Sequence, residues 1–251
     1  PRRPKLAPVP DTPEAQARAL FQRDHCAICH DCTGAPGGDI VAADPSAPDL
    51  GGFASREWIA GLLDPDQIKT RKYFGNSKFR TGDMAGFVDD MLSDLDEEEQ
   101  EEIATLAVVL SAEAQLPAQR EMDKKDAERI DEGRELLSDW GCTDCHRFHD
   151  DGDYVGPDLT GYGSTAWLTA FLCDPAKGAS QDADDLRFYG DENYGMPSYR
   201  KYRPEAIEGQ GPEADKARKE QEDKENLNLL QADEIQLLVD MLRGSLPKPK
   251  Q

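Results

Sequence analysis

Four of the six cysteines lie in two Cys-x-x-Cys-His motifs, at residues 26–30 and 142–146. Cysteines at positions i and i+3 lie on one side of a helical turn, so their sulfurs can bond two edge groups of one haem. The histidine that follows can present its imidazole to the iron as the proximal ligand. The motifs therefore predict two covalently bound c-type haems. The residues assigned to them are Cys26, Cys29 and His30 for the first haem, and Cys142, Cys145 and His146 for the second.

Two other chemistries use a Cys-x-x-Cys pair, namely structural zinc and redox-active dithiols. One zinc site would have to bring together two cysteine pairs that are more than a hundred residues apart. Both trailing histidines would then be coincidental. Haem attachment explains the cysteines and the histidines together, and we favour it over zinc and over a dithiol.

The remaining cysteines, Cys32 and Cys173, lie outside the motifs. Haem attachment implies an oxidising compartment, in which the two could form a disulfide. They could equally be separate thiols, because sequence gives no distance between them.

The two halves of the chain resemble each other beyond the motifs. Residues 47–58 (APDLGGFASREW) follow the first motif, and residues 156–167 (GPDLTGYGSTAW) follow the second. Each stretch leads into an apolar segment that ends at an Asp-Pro pair, and then into a loop with a methionine. The repeat predicts one helical unit used twice: leading helix, motif, Pro-Asp-Leu loop, short helix, methionine loop and closing helix.

Local signals mark the helix ends. Ser55 and Ser164 are typical N-caps for the two short helices. Asp96, with Glu99 three residues later, is typical of a capping box. The longer helices are therefore predicted from Thr12 onward, over residues 126–138, over residues 96–111 and over residues 232–243.

Each unit resembles the small, all-helical class I cytochrome c fold, and the resemblance covers nearly the whole chain. It implies that the leading and closing helices of a unit grip the haem and cross at small residues, here Ala17 and Gly133. The expected fold class is all-α, with two tandem cytochrome c-like domains. The expected division is a linker at 1–10, domain 1 at 11–116, a linker at 117–125, and domain 2 at 126–251 with a charged insertion at about 203–226.

The same resemblance assigns a role to the prolines of the Pro-Asp-Leu loops. In the family, the carbonyl of this proline orients the proximal histidine, a role that would fall to Pro48 and Pro157. The first unit departs from the family pattern, because Ala47 stands where glycine is more usual. The second unit is similar to cytochrome c modules of quinol-oxidising bc-type complexes and of oxidase subunits.

The sixth iron ligands are predicted to be methionines. The only other histidines, His25 and His149, lie too close to the motifs to reach the far face of their own haems. Met84 and Met196 stand at matching places in the methionine loops, so each is assigned to the haem of its own unit. Met91 is the main rival to Met84. A thioether ligand stabilises reduced iron and leaves no open position, which predicts high-potential, low-spin haems.

The net charge of −22 excludes nucleic acid and anionic lipid as expected partners. It either attracts a basic protein partner or only keeps the protein soluble. Electron transfer is the favoured function, with a basic cytochrome or a membrane quinol-oxidising or oxidase complex as the redox partner. The alternative is a dihaem cytochrome c peroxidase, which the scarcity of histidine disfavours; no other enzyme activity is expected. The expected compartment is periplasmic or otherwise extracytoplasmic, with any membrane attachment through a segment upstream of Pro1.

Three charged features keep two interpretations each. The acidic residues Asp89, Asp90 and those at 94–102 form either a docking surface or a solvated, well-capped helix face. Residues 203–226 form a solvated insertion or, less favoured, a docking element. Arg18 and Arg134 either pair with haem propionates or form ordinary surface salt bridges, which we favour.

Overall fold

The computed structural model describes residues 11–23, 26–173, 175, 196, 199 and 230–247. These residues form helices joined by loops, with two isolated β-bridges and no extended strand among them. The predicted all-α class is confirmed at this level. None of the described helices combines the length and apolar character needed to span a membrane. The helices are α1 Pro13–Arg23, α2 Cys26–Cys29, α3 Arg56–Leu62, α4 Pro65–Ile68, α5 Asp83–Met91, α6 Glu97–Ala114, α7 Arg120–Lys125, α8 Ala127–Glu132, α9 Leu136–Asp139, α10 Thr165–Cys173 and α11 Ala232–Leu242.

The predicted caps are confirmed. The Ser55 hydroxyl accepts the Trp58 backbone N–H at 3.1 Å, and Ser164 accepts that of Trp167 at the same distance. At the start of α6, the Asp96 carboxylate and the Glu99 side chain form the reciprocal capping box. Such caps satisfy the first backbone N–H groups of a helix, which have no partner within it.

The helices differ from the sequence predictions in three segments. The second leading helix is not continuous over 126–138 but is interrupted between α8 and α9, where Gly133 lies. A Cβ at Gly133 would lie only 2.6 Å from Thr105 Cγ2 of α6, so this glycine allows α6 to approach closely. The segment at 117–125, predicted as a linker, contains α7, and the predicted methionine loop around Met84 contains α5.

The apolar side chains form two main cores. The first core joins the N-terminal segment to the last helices, and its larger buried members are Leu20, Phe21, Ile40, Trp167, Leu168, Leu172, Tyr199, Ile235, Leu238 and Met241. The second core is formed by the middle of the chain, and its larger buried members are Trp58, Ile59, Ile68, Tyr73, Val88, Leu92, Leu106, Val109, Leu137 and Phe148.

The two repeats exchange their leading helices. The family resemblance pairs each leading helix with the closing helix of its own unit, but α1 packs against α11 and α8 packs against α6. An ion pair of 3.0 Å between Arg23 and Glu234 joins α1 to α11. The closing helices carry equivalent apolar stripes, so either one can bury a leading helix, and the sequence pattern could not distinguish the two arrangements.

The two repeats contact each other at equivalent residues, a region we call the crossing (residues 53–54 and 162–163). Ala54 and Gly163, which occupy equivalent places in the repeats, both have positive φ, 60° and 72°. A Cβ at Gly163 would lie 2.4 Å from the Ala54 Cβ, so the Ala54 side chain fits there only because residue 163 is glycine. The Phe53 and Tyr162 rings lie 5.4 Å apart between the cores and contact both of them.

One arginine ties the crossing to the helix ends around it. The Arg243 guanidinium donates to the carbonyls of Ala114 at 2.5 Å, Gly163 at 2.6 Å and Gln115 at 3.1 Å. The first and third carbonyls lie at the end of α6, where Gln115 has a left-handed backbone conformation. Arg243 follows α11, so it joins the ends of the two closing helices through a single side chain.

Candidate functional site

Each Cys-x-x-Cys-His motif forms one tight helical turn. In both motifs the backbone N–H of the histidine donates to the backbone carbonyl of the first cysteine at 2.9 Å, from His30 to Cys26 and from His146 to Cys142. The first turn is the α-helix α2, whereas the second is a 3₁₀ turn over Cys142–Asp144. Both turns hold two cysteines one helical turn apart, followed directly by the histidine.

Both motif histidines make the same contact to a proline carbonyl. His30 Nδ1 lies 2.7 Å from the Pro48 oxygen, and His146 Nδ1 lies 2.7 Å from the Pro157 oxygen. A carbonyl can only accept, so Nδ1 carries the hydrogen and donates it. The Nε2 lone pair of each ring is therefore left for a metal, as in histidine ligands fixed by a second hydrogen bond.

Burial lowers the pKa of both motif histidines below the usual value for a histidine. The proline hydrogen bonds and the nearby carboxylates, Asp31 and Asp49 for His30 and Asp158 for His146, oppose this effect more weakly. Both imidazoles are therefore neutral near pH 7, which is the form that binds a metal ion.

The proline loops are fixed by two tryptophans that sequence reasoning did not assign to the site. Trp58 Nε1 donates to the Asp49 carbonyl at 2.9 Å, and Trp167 Nε1 donates to the Asp158 carbonyl at 2.8 Å. Both aspartates follow the prolines directly and are buried, at 7 % and 4 % exposure. The signal was present in the sequence, because each repeat has a tryptophan nine residues after Pro-Asp.

The Asp49 carboxylate also holds its own loop. It accepts the backbone N–H of Thr33 at 2.9 Å and that of Gly51 at 2.8 Å. Since Thr33 lies three residues after His30, this carboxylate joins the motif to the proline loop. Asp158 accepts the Thr160 N–H at 2.8 Å and so holds the second loop in a similar way.

The residue before each proline lies against the motif. The Gly156 N–H donates to Cys145 O at 2.7 Å, and the Ala47 N–H donates to Cys29 O at 3.2 Å. A Cβ at Gly156 would lie 2.5 Å from His146 Cε1, so the ring fits only because this residue is glycine. The first repeat accommodates Ala47 at the same place, where its backbone lies farther from the motif carbonyl.

The five methionines separate clearly by burial. Met84, in the first turn of α5, packs against the second core, whereas Met196 packs against the first core. Met241 is a core residue with 6 % exposure. Met91, the rival of Met84, is 55 % exposed, and Met122 is 45 % exposed. Each core is therefore contacted by one partly buried methionine, Met196 at the first core and Met84 at the second.

The cysteines of the two motifs lie in different parts of the molecule. Cys26 packs against the first core and Cys142 against the second, which separates the two pairs that a single zinc site would need. Among the described residues, no three His, Cys, Asp or Glu side chains come together as a metal cluster. Cys32 and Cys173 are thiols in the structure, and both belong to or pack against the first core. Burial raises the pKa of Cys32 to about 11.

The two matching arginines have different contacts. Arg18 donates to the carbonyls of Pro36 at 3.2 Å and Asp39 at 3.1 Å, which anchors the loop after the first motif. Arg134 forms an ion pair of 3.3 Å with Glu113. Arg134 therefore forms a surface salt bridge, the interpretation that we favoured, whereas Arg18 holds the loop after the first motif.

Part of the acidic cluster at 94–102 has a structural role. Besides the Asp96–Glu99 capping box, Glu101 pairs with Arg129 at 2.6 Å, and Glu102 accepts from Trp140 Nε1 at 2.9 Å. These contacts hold α8 and the residue after α9 against α6. His25, the linker at 1–10 and the insertion at 203–226 lie outside the described residues.

No protein-family model, curated protein or solved structure matches this chain. The interpretation of the site therefore depends on its own geometry. In each motif, two cysteines on one turn are followed by a neutral imidazole whose Nδ1 is fixed by a proline carbonyl. This donor set could hold a covalently attached haem.

Proposed function

We propose that this chain binds two c-type haems and transfers electrons. Cys26 with Cys29, and Cys142 with Cys145, would hold the two porphyrin edges, and His30 and His146 would be the proximal ligands. The observation that supports this most directly is the pair of 2.7 Å contacts from the motif histidines to Pro48 and Pro157. A repeated contact of this kind fixes the ring orientation and leaves Nε2 available.

A haem bound at such a site supplies a one-electron couple at its iron. The residues of the chain set the conditions for that couple. The proline carbonyls orient the imidazoles, Trp58 and Trp167 fix the loops that carry those carbonyls, and the two apolar cores exclude water. With a methionine as sixth ligand, the site has no open position for a substrate, which supports electron transfer over peroxidase chemistry.

The proposed partners are redox proteins. The net charge of −22 favours a basic cytochrome, or a basic face on a quinol-oxidising or oxidase complex. Covalent haem attachment also supports a periplasmic or other extracytoplasmic location.

Haem content tests the proposal directly. The chain is expressed in a host that attaches haem to exported cytochromes, and the haem that stays bound after denaturation is quantified against protein. We expect two haems per chain, and one haem in each double variant, Cys26→Ala/Cys29→Ala and Cys142→Ala/Cys145→Ala. The matched control is Cys32→Ala, which should keep both. Protein without covalent haem would refute the function, as would turnover with hydrogen peroxide at a high-spin haem.

A further inference from the structure

The exchange of leading helices changes which methionine lies near which motif. Cys26 and Ala27 of the first motif pack against the first core, and so does Leu50, two residues after Pro48. Their counterparts Cys142 and Leu159 pack against the second core. The first motif and its proline loop therefore lie beside the first core, which helices of the second repeat complete. The second motif and its proline loop lie beside the second core, which helices of the first repeat complete.

Met196 lies beside the first core. Three residues after it, Tyr199 is buried in that core with 3 % exposure, and its N–H donates to the Leu172 carbonyl of α10 at 3.0 Å. The first core also contains α1 and is packed by the first motif. Met196 and Tyr199 of the second repeat thus contact the core against which the first motif packs.

Met84 lies beside the second core. It belongs to α5, whose Ala85 and Val88 are fully buried in that core. The same core contains Phe148, two residues after His146, and is packed by Cys142. The methionine helix of the first repeat is thus attached to the core against which the second motif packs.

We propose that the iron ligands are crossed between the repeats: His30 is paired with Met196, and His146 is paired with Met84. This inference rests on the proposed function, because it assigns axial ligands of the proposed haems. It replaces the assignment of Met84 to the first haem and Met196 to the second, which followed from sequence order alone. Each haem would then be held by both halves of the chain.

Single-haem proteins distinguish the two assignments. In the Cys26→Ala/Cys29→Ala background only the second haem is attached. There, Met84→Ala should abolish the thioether-to-iron charge-transfer band of the oxidised protein, and Met196→Ala should leave it intact. In the Cys142→Ala/Cys145→Ala background the two results should be reversed. Met91→Ala is the matched control, because this methionine is exposed and its loss should change neither spectrum.

The opposite pattern, in which each haem loses its band with the methionine of its own repeat, would overturn the crossed assignment. So would a band that survives both substitutions. Neither result would affect the proposed function, which fails separately if no covalent haem is found in the unmodified chain.

A second measurement avoids variants that remove a haem. A protease site is inserted between Pro117 and Ala118, both exposed, and the two-haem protein is cut there. With crossed ligands the fragments should stay together on gel filtration and keep both charge-transfer bands. Fragments that separate while each retains its band would show that each repeat supplies its own methionine and would overturn the proposal.

Discussion

At the scale of single residues, the two repeats place their histidines by the same contact but with different neighbours. His146 fits against the backbone of Gly156, whereas His30 has Ala47 at that place. The motif itself predicts the cysteines and the histidine, because their roles depend on local spacing. The tryptophan and aspartate contacts that hold the proline loops could not be assigned from spacing alone. They join residues nine positions apart that come together only in the folded chain.

We expect Gly156→Ala to displace the His146 ring, because the new Cβ would lie 2.5 Å from Cε1. Overpacking of this kind costs about 1–3 kcal/mol of unfolding free energy. Denaturant unfolding and the absorption spectrum of the proposed second haem would measure the effect. Ala47→Gly in the first repeat is the control and should leave the spectra of both proposed haems unchanged. An unaltered stability and spectrum in Gly156→Ala would contradict the close approach of the His146 ring to residue 156.

Tyr73 gives a prediction that depends on pH. Its hydroxyl donates to the Trp58 carbonyl at 3.0 Å, and burial raises the pKa of Tyr73 to about 12. The folded state therefore keeps the Tyr73 proton above pH 10, where the unfolded chain loses it. The resulting stabilisation is complete below about pH 10 and is lost as the pH rises towards about 12.

Tyr73→Phe should lower the unfolding free energy at neutral pH by about 1 kcal/mol, because the Trp58 carbonyl loses its donor. The variant should also lack the part of the stability loss above pH 10 that comes from Tyr73. Urea unfolding of both proteins at neutral and alkaline pH makes the comparison. Parallel stability curves across the alkaline range would show that this tyrosine does not titrate as described.

At the scale of helices, local sequence signals predicted where helices begin, whereas tertiary contacts determined where one helix breaks and which helices pack together. The caps at Ser55, Ser164 and Asp96 were predictable, because each depends on residues within one turn. The break between α8 and α9 was not, because it accompanies the close approach of α6 at Gly133. The helix partners were also not predictable, since α6 and α11 offer equivalent apolar faces to α1 and α8.

A pair of glycines tests the contact between α6 and the break after α8. Gly133→Ala would place its Cβ 2.6 Å from Thr105 Cγ2 and 2.9 Å from Val109 Cγ2. We expect it to destabilise the protein by about 1–3 kcal/mol, as overpacking does. The measurement is the denaturant midpoint at constant m-value.

Gly86→Ala is the matched control, because Gly86 lies inside α5 and its added Cβ would contact nothing within 4 Å. Alanine is the better helix former, so this variant should be more stable by about 0.5–1 kcal/mol. Equal effects of the two substitutions would mean that α6 does not approach Gly133 closely.

At the scale of the whole molecule, charge should govern the encounter with a redox partner. The net charge of −22 attracts a basic protein. Salt screens this attraction, with a Debye length of about 10 Å at 0.1 M ionic strength. We expect the second-order rate of electron exchange with a basic cytochrome to fall about tenfold or more as salt is raised from low to high ionic strength. Stopped-flow mixing measures this rate. An acidic cytochrome is the control and should show the opposite dependence, while equal dependence for both would exclude steering.

The pairing of α1 with α11 also fixes the order in which the molecule can be completed during synthesis. Arg23 meets a partner 211 residues further along the chain. The first motif is therefore translated early, but the core beside it can close only after the last helix has been made. The second core needs only the middle of the chain and can form before the chain is finished. Contacts of such long sequence separation slow folding, so the half of the molecule that is made first should be the last to become native.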